Sequence, residues 1–134
     1  MIFIDTGAFL ARHLPRDQHH RHARTGWKTI TRRNLRCFTS NFVLDETFTL
    51  LARRASYPFA VTRARNIYSS EILEVLRPTH EDEVKALELF EKYADQKVSF
   101  TDCVSFILMR QAGIRRAFAF DGHFEHAGFI LWRG

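Results

Sequence analysis

Cysteine is nearly absent from this chain, with only Cys37 and Cys103 among 134 residues. Two cysteines cannot build a disulfide scaffold, and neither belongs to a CxxC or CxxH pair of the kind that holds zinc. Both have apolar neighbours, so buried free thiols are expected. No apolar run approaches the roughly 20 residues of a membrane span. The opening run Met1–Ile4 is too short for a signal peptide and lacks a basic n-region and a cleavage site, so a cytoplasmic protein with no membrane contact is expected. There is no glycine-rich loop of the phosphate-cradling or dinucleotide type. No serine lies in a GxSxG turn. Linkers, repeats and low-complexity stretches are also missing. Lysine is scarce: Lys28, Lys85, Lys92 and Lys97 are the only four, against sixteen arginines.

What is present fits one globular domain over residues 1–134. Hydrophobic residues make up 46 % of the chain, charged residues 26 %, and thirteen are phenylalanine, so the core should be rich in aromatic rings. The net charge of +5 attracts polyanions such as nucleic acid, or an acidic partner. Arginine suits bidentate phosphate contacts better than lysine does.

The periodicity alternates strand and helix. Ile2–Ile4 reads as a buried strand that stops at Asp5-Thr6-Gly7. A short helical piece spans Phe9 to Leu14. Asp17 is placed to cap a helix reaching Arg33, with Ala23, Trp27 and Ile30 on its apolar face. Leu35–Thr39 reads as a second strand. Ser40 and Asn41 are good caps for a helix over Phe42–Arg54, and Tyr57-Pro58 starts another that reaches Ser69. The apolar residues of that last helix fit either core or interface. Ile72–Leu76 is a third strand. Thr79 caps a helix whose buried stripe is expected to be Val84, Leu87, Phe90 and Ala94. Ser99–Ala112 is helical and ends at Gly113. Ala117–Phe120 and Phe129–Trp132 supply the fourth and fifth strands. Such alternation implies βα units and a parallel sheet covered on both faces, a three-layer α/β/α sandwich. Functional crevices of these sheets lie beyond the carboxyl ends of the strands.

The acids fall there. Asp5 follows the first strand and Asp121 the fourth, so both carboxylates converge if those strands are neighbours. Either one alone also reads as an N-cap. Asp102 stands three residues after Ser99, the capping-box spacing, yet a carboxylate fixed in a first turn also suits a metal. Glu46 shares a helix face with Phe42, Val43 and Leu50, and a glutamate on an apolar stripe is costly unless its charge is paired or coordinates a metal. Together Asp5, Glu46, Asp102 and Asp121 form a carboxylate cluster that needs cations. Hard oxygen ligands suit Mg²⁺ or Mn²⁺, which can activate water and neutralise a phosphodiester. The histidines His19, His20 and His22 lack the spacing of metal ligands and read as a solvated surface.

The segments Ile2–Phe9, Thr39–Thr47, Ser99–Cys103 and Phe118–Phe124 resemble the PIN-domain ribonucleases, in order along nearly the whole chain. The resemblance implies a five-stranded parallel, Rossmann-like sheet of order 3-2-1-4-5 that binds Mg²⁺ or Mn²⁺. By position, Asp5, Glu46 and Asp102 match the family's three core acids and Asp121 the more variable fourth. Thr6 matches the hydroxyl that supports the first acid. Ser99 opens the serine-containing motif, and Asp95 resembles an acid often found shortly before it. The size resembles VapC-type toxins of toxin–antitoxin pairs, which implies an RNA substrate, a homodimer and an inhibitory antitoxin partner. Arginines such as Arg12, Arg53 and Arg54 are candidates to guide RNA.

Two alternatives keep the same fold: a non-catalytic RNA-binding module, and a solitary nuclease of RNA processing. The four retained acids argue against the first. A phosphotransfer receiver would want paired acids after strand one and a lysine after the last strand, and no lysine follows Lys97. A haloacid-type phosphohydrolase would want a second aspartate at position 7, which is glycine.

Overall fold

The computed structural model describes residues 1–134. Five strands form one sheet, β1 (Ile2–Ile4), β2 (Cys37–Ser40), β3 (Leu73–Leu76), β4 (Arg116–Phe118) and β5 (Ile130–Leu131). They lie in the order β3-β2-β1-β4-β5, and every pairing is parallel. Seven helices connect them: α1 (Thr6–His13), α2 (His20–Arg33), α3 (Asn41–Arg54), α4 (Tyr57–Tyr68), α5 (His80–Lys92), α6 (Phe100–Ala112) and α7 (His123–His126). The order is the one that the family resemblance implies. No helix is long and apolar enough to cross a membrane.

The central strand β1 is wholly buried, which is why it reads as an uninterrupted apolar run. Around it Phe3, Phe9, Phe106, Phe118 and Phe124 are sequestered from solvent, the aromatic core expected from the composition. Cys37 and Cys103 are buried free thiols, and burial pushes both up to about 11.

Two contacts fix the elements that carry the first acid. The Asp5 amide donates to the Phe118 carbonyl at 3.1 Å, extending the β1–β4 ladder one residue past Ile4. The Trp27 indole N–H donates to the Ala8 carbonyl at 3.1 Å and locks α1 against α2. Beneath that lock, Gly26 faces the Phe118 ring, and a Cβ there would come within 2.5 Å of its Cζ. Gly26→Ala is therefore expected to destabilise the fold by about 1–3 kcal/mol through overpacking. The reading is a lower urea midpoint at unchanged m-value; an unaltered midpoint would contradict it.

Several boundaries differ from the sequence expectation. Helix α1 begins at Thr6 rather than Phe9, directly after Asp5. Asp17 caps the preceding turn instead of α2: its Oδ1 accepts from the His19 amide at 2.8 Å. Strand β4 stops at Phe118, so Asp121 lies in a bend three residues beyond it. The largest correction concerns α5. Val84, Leu87 and Phe90 are 49 %, 53 % and 44 % exposed. The inward face is Asp82, Ala86, Leu89 and Tyr93 instead. Asp82 can be buried because its two carboxylate oxygens are satisfied, one by the Thr79 amide at 2.9 Å and one by the Gln111 amide nitrogen at 2.6 Å. On α4, Ala60 and Ile67 are core, whereas Val61 and Tyr68 face solvent.

Candidate active site

The carboxyl ends of β1 and β4 bring the predicted acids to one place. Asp5, at the end of β1, is 4 % exposed, and Asp102, in the first turn of α6, is 7 % exposed. Burial raises Asp5 well above its ordinary value of 3.8, and the nearby charges of Asp102, Asp121 and Glu46 push the same way. The Thr6 backbone N–H opposes this only in part. Burial likewise raises Asp102 to about 6, and Asp121 and Glu46 add to the rise while His123 opposes it. Two buried acids that feel the same two further acids define a pocket of concentrated negative charge, which His123 offsets only in part at Asp102.

The capping question at Asp102 resolves into half a capping box. The Ser99 Oγ accepts from the Asp102 amide at 3.1 Å. The Asp102 carboxylate does not return to the Ser99 amide; its Oδ2 sits 3.0 Å from the His123 Nδ1. Ser99 thus fixes the backbone while the carboxylate stays committed to the site. Asp121 is exposed and both caps and converges: its Oδ1 accepts from the His123 amide at 2.9 Å and lies 3.8 Å from the His123 Nδ1. Ligand atoms of Asp102, Asp121 and His123 can all lie within 4.8 Å of one another.

Glu46 is half-buried, not on the buried stripe. That stripe is Val43, Leu44, Thr47 and Leu51, and Glu46 sits at its margin, turned toward the other acids closely enough to act on Asp5 and Asp102. Thr6 is 5 % exposed, and its Oγ1 is buried without a hydrogen-bond partner. Asp95 is exposed on a short 3-10 turn, Ala94–Gln96, and makes no hydrogen bond or ion pair. The structure does not bring it to the cluster.

His123 is the residue that sequence reasoning missed. It stands two residues after Asp121, inside a segment noted for its acid alone, and nothing in helical or strand periodicity marks it. The signal was its place on the loop after a strand carrying a cluster acid, where chain direction returns to the crevice.

This donor set fits a divalent cation. Carboxylates suit Mg²⁺ or Mn²⁺, and an imidazole at the margin is more at home with the transition metal. The orphaned Thr6 hydroxyl and the raised acids are the unsatisfied groups that a cation with its water shell would satisfy.

Residues 2–130 match the PIN domain, and the chain belongs to that family. Among curated relatives it is similar to the 23S rRNA-specific endonuclease VapC20 from two strains of Mycobacterium tuberculosis, 38 % identical over 130 residues, covering 97 % of this chain and 96 % of the relative. Among solved structures it is similar to the crystal structure of Mycobacterium tuberculosis VapC20, a sarcin–ricin loop cleaving toxin. The TM-score is 0.90 and the identity 36 %, and the match covers the whole of both chains.

Proposed function

We propose that this protein is a divalent-metal-dependent endoribonuclease, the toxin of a type II toxin–antitoxin pair, and that it cuts a structured ribosomal RNA loop. The observation that carries the reading is the burial of Asp5 and Asp102 at the carboxyl edge of a parallel sheet, with the exposed Asp121 and half-buried Glu46 close enough to act on both. Natural proteins do not bury unpaired like charges without a counterion. The similarity to VapC20 supports RNA as substrate and points to the sarcin–ricin loop of 23S rRNA as the first target to test.

Mg²⁺ or Mn²⁺ held here would supply a nucleophilic water and neutralise charge on the phosphodiester. The chain's own residues do the rest. Asp5 and Asp102, both buried, and the exposed Asp121 would hold the cation. Glu46, half-exposed and free of any hydrogen bond, orients water. Ser99 holds the Asp102 backbone. His123 donates to the Asp102 carboxylate and sets its orientation, as partners of ligating carboxylates commonly do. Thr6 offers its free hydroxyl to a water of the site.

His123→Ala is expected to weaken metal affinity or cleavage by about 10- to 100-fold. Raising Mn²⁺ should recover part of that loss, and His123→Asn should retain more activity than alanine. Cleavage at the wild-type rate and wild-type metal dependence would remove the positioning role.

We also propose a cytoplasmic homodimer that an antitoxin protein inhibits. Val84, Leu87 and Phe90 support the dimer, because α5 presents them to solvent as one apolar stripe. Light scattering on Leu87→Asp tests it: a monomer is expected, whereas an unchanged mass moves the interface elsewhere.

The whole reading is tested by incubating the purified protein with an RNA carrying the sarcin–ricin loop, in Mn²⁺ and in EDTA. Cleavage confined to the metal-containing sample supports it. Intact RNA in both, from folded protein free of bound inhibitor, favours the non-catalytic binding module.

A further inference from the structure

A large concavity of the molecule lies away from the acids. A cavity of about 600 Å³ lies between α1, α2 and α4, and no acid lines it. An adjoining chamber of about 290 Å³ shares Arg12, His13, Trp27 and Arg63 and also has no acid. The absence extends to the parent elements: α1, α2 and α4 contain not one aspartate or glutamate.

The cations here are arranged. On α2, His20, Arg24, Lys28 and Arg32 recur every fourth residue and so form one stripe, its steps about 6 Å apart along the axis. Across the groove stand Arg12 from α1 and Arg63 from α4. The Arg12 guanidinium lies 4.4 Å from the Trp27 ring centre, and that of Arg63 lies 4.9 Å from the Phe59 ring centre. Stacking on a ring face fixes a guanidinium while leaving its N–H edge free. None of these side chains makes a salt bridge. The Arg63 Nε is buried and meets no acceptor in the protein.

The charged groups of the groove act on one another. Burial, then the charge of Arg63, lowers Arg12 from its ordinary value. His13 between them is driven down to about 4 by burial and by Arg12 and Arg63, so it stays neutral. Like charges at four-residue spacing work against a helix. A fold that keeps three cations at such spacing on α2, Arg24, Lys28 and Arg32, and adds two stacked arginines opposite them is built to receive negative charge from outside.

Position identifies the anion. The groove starts at His20, bonded through Nδ1 to the Ala11 carbonyl. Its neighbour His19 stacks flat on Phe120 at 4.5 Å, one residue before Asp121. From there the stripe descends α2, and the adjoining chamber reaches Cys37 and Leu73, the first residues of β2 and β3. The basic track thus leads from the catalytic end of the sheet to the opposite end. A repeating line of cations suits a ligand with repeating charge, whereas a single carboxylate would need only one pair.

We propose that the groove between α1, α2 and α4 binds successive phosphates of a nucleic acid strand, with Arg12 and Arg63 gripping one phosphate and Arg24, Lys28 and Arg32 following the next. That this strand is the RNA substrate rests on the ribonuclease reading; the phosphate site does not.

The test is binding of a fluorescent single-stranded RNA 12-mer in EDTA, where no metal-dependent step contributes. The double variant Arg12→Gln, Arg63→Gln is expected to bind at least tenfold more weakly. Its salt slope should be shallower by about 0.7 for each phosphate that is no longer neutralised. A second pair on the exposed stripe, Arg24→Gln with Lys28→Gln, is expected to behave likewise, and so keeps the test valid if the first pair misfolds. Lys85→Gln with Lys92→Gln on α5 removes the same net charge and is expected to leave affinity within twofold.

Equal loss in all three pairs would overturn the site in favour of diffuse charge. Wild-type binding by both groove pairs would overturn it outright. If tripolyphosphate raises the wild-type melting temperature while RNA does not bind, the strand assignment falls. Wild-type protein that holds RNA in this groove but leaves it uncut in Mn²⁺ would sink the ribonuclease reading alone.

Discussion

In the absence of metal at pH 7.5, Asp5→Asn is expected to melt several degrees above the wild-type protein, and in Mn²⁺ it is expected to cut RNA on the order of 10³-fold more slowly, the loss typical of one preorganised electrostatic group. The two effects share a cause. Asp5 is buried beside Asp102, and Asp121 and Glu46 act on both. At neutral pH the metal-free fold must hold these charges apart from water. Asp102 alone, raised from 3.8 to about 6, corresponds to a cost of roughly 3 kcal/mol. Asparagine keeps the shape and can still accept from the Thr6 N–H, yet carries no charge. Melting curves with and without Mn²⁺, run beside a cleavage assay, check both halves. A lower melting temperature for the metal-free variant would mean that the acids are paired in some other way.

The second large effect is a reversal of pH dependence by metal. An acid whose folded pKa lies above its unfolded value holds its proton more tightly when folded. The stability from that proton is complete below about pH 4, fades as pH rises through the folded value of about 6 for Asp102, and is absent above it. Asp5 adds to the same slope. His13 works in the opposite direction. Its folded value near 4 makes the folded state resist protonation, so its contribution is full above about 6.5 and is lost as pH falls toward 4. The difference between wild type and Asp102→Asn cancels His13 and isolates the acids. A divalent cation competes with the proton. Mn²⁺ at about 100 times its dissociation constant should stabilise the wild type by about 2.7 kcal/mol at pH 7.5. That gain should vanish near pH 5 and should be small in Asp102→Asn at any pH. A Mn²⁺-induced shift independent of pH would place the ion away from these carboxylates.

Much of this architecture was legible in the sequence because strands buried on both faces announce themselves as apolar runs, and because caps at Ser40, Thr79, Ser99 and Gly113 punctuate the helices. Asp5 and Asp102 were legible for a related reason, since Asp5 follows a strand end and Asp102 stands three residues after the cap Ser99 in the first turn of a helix. Glu46 was singled out for an imperfect reason: the apolar stripe of α3 is rotated one position from the one inferred, and the glutamate stands at its edge. Helix α5 misled more seriously. Periodicity reports which residues share a face but not which way that face turns, and α5 has one apolar face that is exposed and another that buries a satisfied aspartate. His123 and the basic groove were out of reach for a common reason. The stripe at positions 20, 24, 28 and 32 is visible in sequence, but Arg12 and Arg63 join it only after α1 and α4 have packed beside α2. His123 likewise meets Asp102 only across the crevice, 21 residues away in the chain.

The central claim is tested most directly by following end-labelled sarcin–ricin loop RNA with wild type in Mn²⁺, wild type in EDTA, and the Asp5→Asn, Asp102→Asn variant in Mn²⁺. The account predicts a discrete cleavage product in the first sample and intact RNA in the other two. Equal cleavage by the folded variant, or by wild type in EDTA, would contradict it.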